Sequence, residues 1–191
     1  MLIKEEKNFL FLWYFFVYNS YYSECIQDGD DFLEQKFIRI FNLFKNDVYR
    51  LSYSYTKNIS DSDDITQNVF VKLYKHNEVL ELDDISIKKW LFKVTINECK
   101  SLLLSSWKKK IIPFTEKEEN TLYVKVNDNS ILDQVMQLPK KYRLVIFLYY
   151  YENYNTKEIS EILNLTVTNV QTIASRARNK LKEIIVEDEN E

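Results

Sequence analysis

Glu158-Ile-Ser-Glu-Ile-Leu-Asn-Leu-Thr-Val-Thr-Asn-Val-Gln-Thr-Ile-Ala-Ser-Arg-Ala-Arg-Asn-Lys-Leu181 is the stretch on which the reading of this chain turns. Apolar residues recur at helical spacing at Ile159, Ile162 and Leu163, stop at Asn164-Leu165-Thr166, and resume at Val170, Ile173, Ala174, Ala177 and Leu181. Two short helices joined by so brief a turn form a helix-turn-helix. Arg176, Arg178, Lys180 and Lys182 flank the second helix, as in a recognition helix that enters a major groove. The pattern predicts a DNA reader over Leu138 to Ile185.

On that second helix the apolar set turns inward and leaves Thr168, Asn169, Gln171, Thr172, Ser175 and Arg176 for DNA. Gln171 or Asn169 suits paired bonds to adenine, whereas Arg176 or Arg178 suits phosphates. Asn155 and Thr156 open the first helix, where backbone N–H groups can face a phosphate.

The formal net charge of −3 over 191 residues looks wrong for a nucleic-acid binder until the charge is located. From Ile131 to Val186 the cations Lys140, Lys141, Arg143, Lys157, Arg176, Arg178, Lys180 and Lys182 outnumber Asp133, Glu152, Glu158, Glu161 and Glu183. The acidity sits in Glu116 to Glu119 and in the tail, residues 187–191, so the average hides a basic module.

Gly29 is the only glycine and His76 the only histidine, which excludes a glycine-rich phosphate cradle and a histidine-based metal cluster. His76 reads as a solvated residue at a helix end. Cys25 and Cys99 have no metal or redox spacing and fit a reducing cytoplasm. The chain reads as a cytoplasmic binding protein with no catalytic residues, no cofactor and no metal, not as an enzyme.

Phe9-Leu-Phe-Leu-Trp-Tyr-Phe-Phe-Val-Tyr18 is shorter than the roughly 20 apolar residues that span a bilayer. Glu5 and Glu6 spoil a basic leader, and no small-residue cleavage site follows. Three readings stay open for this hydrophobic extension, residues 1–30: a docked helix, a peripheral membrane contact, or a non-native extension from an early start.

From Asp31 onward the pattern is helical. Phe37, Ile40, Phe41 and Phe44 share a stripe that Val48, Leu51 and Tyr55 continue. Asn58-Ile59-Ser60 breaks it, and Asp61-Ser62-Asp63-Asp64 is expected to cap the next helix through Ile65, Val69 and Leu73. Asn77 to Ser86 reads as a polar loop. A third helix runs from about Ile87 to Trp107 and ends in Lys108-Lys109-Lys110. Pro139 fits the first turn of a further helix, which runs to about Tyr151. The expected fold is all-α: a helical domain over 31–112, a flexible linker over 113–130, and the helix-turn-helix domain over 131–186.

These segments together resemble a known family. Asp61-Ser-Asp-Asp-Ile-Thr-Gln-Asn-Val-Phe70 is similar to the D-A-E-D-L-T-Q-E-V-F run in region two of extracytoplasmic-function sigma factors, within the sigma-70 family. Trp90-Leu-Phe-Lys-Val-Thr-Ile-Asn97 is similar to their W-L-x-[KR]-[IV]-[AT]-x-N helix. Leu138-Pro139, Glu158-Ile-Ser-Glu-Ile-Leu163 and Arg176-Ala-Arg178 with Leu181 resemble L-P, E-I-A-E-I-L and R-A-R-x-x-L of region four. Each motif alone is weak; the ordered set, covering about Asp31 to Ile185, is specific.

The resemblance implies a bacterial sigma subunit that binds core RNA polymerase, directs it to promoters and opens the DNA. It places Asp64 and Gln67 against the β′ clamp coiled coil, with Asp61 and Asn68 on the same cassette. It turns the helix of Trp90 and Asn97 toward single-stranded bases of the minus-ten element. It gives the second module the minus-thirty-five element and the β flap, and it implies an anti-sigma partner. Cations for phosphates and planar or amide groups for unstacked bases are what strand opening requires. Lys93, Asn97, Lys100, Trp107, Lys108, Lys109 and Lys110 supply both kinds, while Trp90 shares a helical phase with Val94 and reads as core.

The chain also departs from the family. Asn68 replaces the usual Glu, and Ser101 and Leu104 stand where Asp and a basic residue are common. Thr168 replaces a common Gly, and Gln171 and Ile173 replace Lys and Arg. The polymerase-binding cassette is better kept than the cationic surfaces. The alternative is therefore a sigma-like protein that binds polymerase or an anti-sigma partner but reads promoters weakly.

Overall fold

The computed structural model describes residues 30–109 and 131–188. Among them every regular element is helical. The hydrophobic extension, the linker and the end of the tail lie outside the described residues, as do Lys110 and the side chains of Trp107, Lys108 and Lys109. No helix among the described residues is long and apolar enough to cross a membrane.

Helix α1 spans Asp30–Thr56 and buries Phe37, Ile40, Phe44, Val48 and Leu51, the apolar stripe at three- and four-residue spacing. Lys57 then takes a left-handed conformation (φ 57°), and Asn58 caps α2, Ile59–Lys75, by accepting from the Asp61 N–H at 3.0 Å. The aspartates expected to cap this helix therefore lie inside its first two turns. Asn58 wins because the chain reverses at Lys57 and its carboxamide meets the free N–H groups first. Buried Ser62 ties the turn together through Thr56 Oγ1 at 2.9 Å and the Asn58 carbonyl.

The expected polar loop contains a 3₁₀ turn, Asn77–Glu81, because Val79 and Leu80 are both buried. Asp83 ends it by accepting from the Ile85 and Ser86 N–H groups, each at 3.0 Å. Helix α3, Asp84–Lys109, thus starts earlier than its apolar pattern announces and buries Ile87, Leu91, Phe92, Thr95, Ile96 and Cys99.

The second group opens with α4, Ile131–Gln137, and α5, Lys140–Ile146, with Pro139 one place ahead of α5. Helix α5 continues into a π turn, Phe147–Tyr151. The helix-turn-helix is α6, Thr156–Leu163, and α7, Val167–Asp188. Asn164 closes α6 in the left-handed region (φ 56°, ψ 55°), a conformation that Asn tolerates better than most residues other than glycine. Thr166 Oγ1 then accepts from the Asn169 N–H at 3.2 Å and starts α7.

Ile40–Glu191 forms one compact unit; the residues through Arg39 form another, of which only the start of α1 is described. Within the larger unit the two helical groups share a core. Leu51, Phe92 and Ile96 of the first belong to one buried cluster with Leu144, Val145, Leu148, Tyr154 and Ile159 of the second. Each such side chain contributes about 1.5–3 kcal/mol on burial. A second cluster, Val135, Leu138, Ile146, Ala177 and Ile184, holds α4 and α5 against α7.

Arg143 lies in this seam at 3% exposure, although composition counts it among the cations of the basic module. Its guanidinium donates to the Ser54 carbonyl, to Met136 O at 2.9 Å and to Leu138 O at 3.1 Å. Ser54 and Met136 sit at the C-terminal ends of α1 and α4, where unpaired carbonyls attract a cation.

Candidate nucleic-acid interface

Three surfaces carry the residues singled out by sequence. On α2, Asp64, Gln67 and Asn68 are exposed, three and four residues apart, and so share one face. Asp61 is half-buried, and burial followed by the charge of Asp64 pushes its carboxyl above the usual range. The same face continues to Val71, 42% exposed, an apolar neighbour that motif matching passed over. Helical phase from Asp64 and Gln67 is the signal that finds it. An exposed carboxylate and two amides beside a small apolar contact suit a protein partner better than a polyanion.

On α3, Lys93 is half-buried, while Asn97 and Lys100 are exposed one and two turns further on. Trp90, one turn before Val94, is half-buried and meets the His76 ring edge-on at 6.2 Å, so it is neither full core nor an open stacking platform. His76 itself is exposed at the end of α2, with Nδ1 3.1 Å from Glu78. Sequence reasoning missed Lys88 and Lys89 entirely. Lys88 Nζ lies 2.8 Å from Asp47 and 2.7 Å from Glu152, and Lys89 Nζ lies 3.2 Å from Glu161. Burial opposes the charge on Lys88, but hydrogen bonds to Asp47 and Glu152 outweigh it and raise its pKa.

On α7 the division of faces follows the sequence. Val170, Ile173, Ala174 and Ala177 are buried, and Thr168, Asn169, Gln171, Thr172, Ser175, Arg176 and Arg178 are exposed. The Thr172 hydroxyl donates to the Thr168 carbonyl at 2.9 Å. Gln171 and Asn169 keep their carboxamides on the outer face with the two arginines, the combination of amides and guanidinia that reads duplex edges and phosphates.

The start of α6 differs from expectation in one respect. Asn155 and Glu158 form a capping box: Asn155 Oδ1 accepts from the Lys157 and Glu158 N–H groups, and Glu158 accepts from the Asn155 N–H, all at 3.0 Å. The N–H of Asn155 is thereby engaged within the protein. A phosphate arriving there meets the Thr156 end of the turn and has to compete with Glu158 for Asn155.

Comparison with known proteins identifies the family. Residues 40–109 match the family model described as sigma-70 region 2, and residues 128–181 match that of sigma-70, region 4. The chain is 30% identical over 152 residues to the ECF RNA polymerase sigma factor SigM of Bacillus subtilis, covering 75% of this chain and 91% of the relative. It is 26% identical over 178 residues to SigW of the same organism, covering 82% and 91%. Among solved structures it is similar to the sigma factor RpoE of Bartonella quintana, crystallised with the anti-sigma factor NepR. That match has a TM-score of 0.63 and 19% identity, over 78% of this chain and 96% of the other. It is also similar to CnrH in complex with the cytosolic domain of CnrY, with a TM-score of 0.55 and 19% identity, over 80% and 88%.

Proposed function

Because this chain belongs to the sigma-70 family, in its extracytoplasmic-function group, we propose a division of labour among its three exposed surfaces. The chain is a sigma factor and not an enzyme: it binds core RNA polymerase and directs promoter recognition and transcription initiation. Asp64, Gln67 and Asn68 on α2, with Asp61 behind them, dock on the β′ clamp coiled coil. Lys93, Asn97 and Lys100 on α3 hold the opened strand at the minus-ten element, and Trp107, Lys108, Lys109 and Lys110 are assigned the same role from the sequence. The outer face of α7 reads the minus-thirty-five duplex, with Gln171 or Asn169 on bases and Arg176 or Arg178 on phosphates; Asn155 and Thr156 add a phosphate contact. The β flap meets the second module, an anti-sigma factor is the natural inhibitor, and the cytoplasm is the site of action.

The observation that carries this reading is the coexistence, on one helical chain, of an acid-and-amide face on α2 and an exposed amide-and-guanidinium face on α7. Transcription in vitro with core polymerase tests it. Promoter-specific transcripts that disappear with Asp64→Ala plus Gln67→Ala, together with core binding, support the assignment. Core binding that survives the double substitution refutes the role of α2. Binding without any initiation favours the weaker promoter reader over a full sigma factor.

A further inference from the structure

Phase along α7 sorts its exposed residues into rows. At about 100° per residue, Thr168, Thr172, Ser175 and Asn179 fall opposite the buried Val170, Ala174 and Ala177, and all four are exposed. Arg178 and Lys182 stand on one flank of this central row and Arg176 and Lys180 on the other, each pair four residues apart. The middle row is short and uncharged, and the cations keep to its sides. A helix graded in this way meets base edges with small side chains and the two phosphate walls of the groove with its cations. No member of the central row can make the paired bond to guanine that Arg or Lys makes.

Thr172 narrows the choice further. Its hydroxyl donates to the Thr168 carbonyl at 2.9 Å, one turn back along the same row. That bond commits the side chain's proton to the helix. With Oγ1 turned onto the backbone, the tetrahedral Cβ directs the Cγ2 methyl away from it. An exposed residue that reads as polar in the sequence thus offers an apolar surface to whatever meets this face. The apolar group that a base pair offers in the major groove is the C5-methyl of thymine, which C·G pairs lack.

We propose that Thr172 is a specificity-determining residue that recognises a thymine by methyl-to-methyl contact and not by a hydrogen bond. The duplex element read by α7 then carries a thymine at that place, beside the adenine suited to Asn169 or Gln171. This inference deepens the promoter-reading role assigned to α7 above and rests on it.

Two substitutions divide the side chain into its halves. Thr172→Ser keeps the hydroxyl and its backbone bond but lacks the methyl, whereas Thr172→Val keeps the methyl and lacks the hydroxyl; a thermal melt checks that both fold. Holoenzyme assembled from core polymerase and the full chain selects promoter duplexes from a randomised pool. Each thymine of a selected duplex, in either strand, is then replaced singly by deoxyuridine, which pairs alike but has no C5-methyl. Apparent affinity is measured by competition with the unsubstituted duplex. One methyl's worth of buried apolar surface corresponds to about fourfold in affinity, so one particular uridine should cost the native chain about fourfold. That uridine should cost Thr172→Ser nothing further, and Thr172→Val should show the fourfold penalty again. Uridine penalties that are the same in the native chain and in Thr172→Ser at every position overturn the proposal. A penalty kept by Thr172→Ser and lost with Thr172→Val assigns the reading to the hydroxyl and overturns it as well. Gln171→Ala plus Arg176→Ala separates this failure from that of the underlying reading. If no duplex is enriched, or if this double substitution leaves binding of the enriched ones unchanged, promoter reading by α7 is what has failed, and the methyl contact falls with it.

Discussion

Arg143→Met keeps an unbranched apolar stem but removes the buried guanidinium, and leaves three carbonyls, of Ser54, Met136 and Leu138, without their donor. Hydrogen bonds to a charged group contribute about 1.5–3 kcal/mol each. Against that stands the several kcal/mol that it costs to strip the guanidinium of water, the same burial that lowers its pKa. The balance is a net loss of about 3 kcal/mol, since the carbonyls stay buried while the ion's penalty is relieved. For a body of this size, each kcal/mol shifts the melting temperature by about 2–4 °C, so Tm should fall by about 6–12 °C. Arg143→Lys restores a charge but cannot fork between two helix ends, and should recover about half of the loss. Thermal melts monitored by far-ultraviolet circular dichroism measure both. An Arg143→Met chain that melts within about 1 °C of the parent would refute the claim that this guanidinium pins the ends of α1 and α4.

Three other contacts carry expected outcomes. Asn155→Ala should cost about 1 kcal/mol through loss of the capping box, and Asn155→Asp should keep most of it; equal destabilisation by both in urea titrations would contradict the cap. The seam between α3 and α6 should be sensitive to acid. The Glu161 pKa is depressed, chiefly by its hydrogen bond from Lys89, so its contribution is present above the ordinary 4.5 and is lost as pH falls through the lowered value. The Lys88 pKa is raised, so its contribution is fully present below 10.5 and is lost only at higher pH. Protection of the α3 amides against hydrogen exchange, relative to intrinsic exchange, should therefore hold across neutral pH and fall in acid; protection that falls between pH 6 and 8 would contradict that window. Finally, burial pushes the Cys99 thiol up to about 12, so in a Cys25→Ser chain it should resist maleimides until denaturant opens the core. Rapid labelling of the folded chain would show that α3 is not packed as described.

Local periodicity made the helices and the two faces of α7 legible, because burial at Val170, Ile173 and Ala174 is a matter of phase along a single helix. The motif on α2 was legible for the same reason. The start of α2 was not: acidic residues advertise a helix N-terminus, but the left-handed turn at Lys57 decides where it falls. The hidden 3₁₀ turn escaped because Val79 and Leu80 are too short a run to show a period. Lys88, Lys89 and Arg143 were misjudged or overlooked for a different reason. Their partners, Glu152, Glu161 and Ser54, are distant in sequence, and a charge count cannot separate a cation that meets solvent from one that is held inside.

The π turn after α5 has a consequence for inheritance. Its mark is the Glu152 N–H, which reaches back five residues to the Phe147 carbonyl at 3.2 Å. An α-helix rotates about 100° per residue, so the wider turn accommodates one residue that a regular helix would not. Deleting any one of Tyr149, Tyr150 or Tyr151 would relax the segment to an ordinary helix and rotate the downstream chain by about that angle, carrying Glu152 away from Lys88. A single in-frame triplet is then enough to gain or lose this contact, leaving the amino-acid sequences of α2 and α7 unchanged.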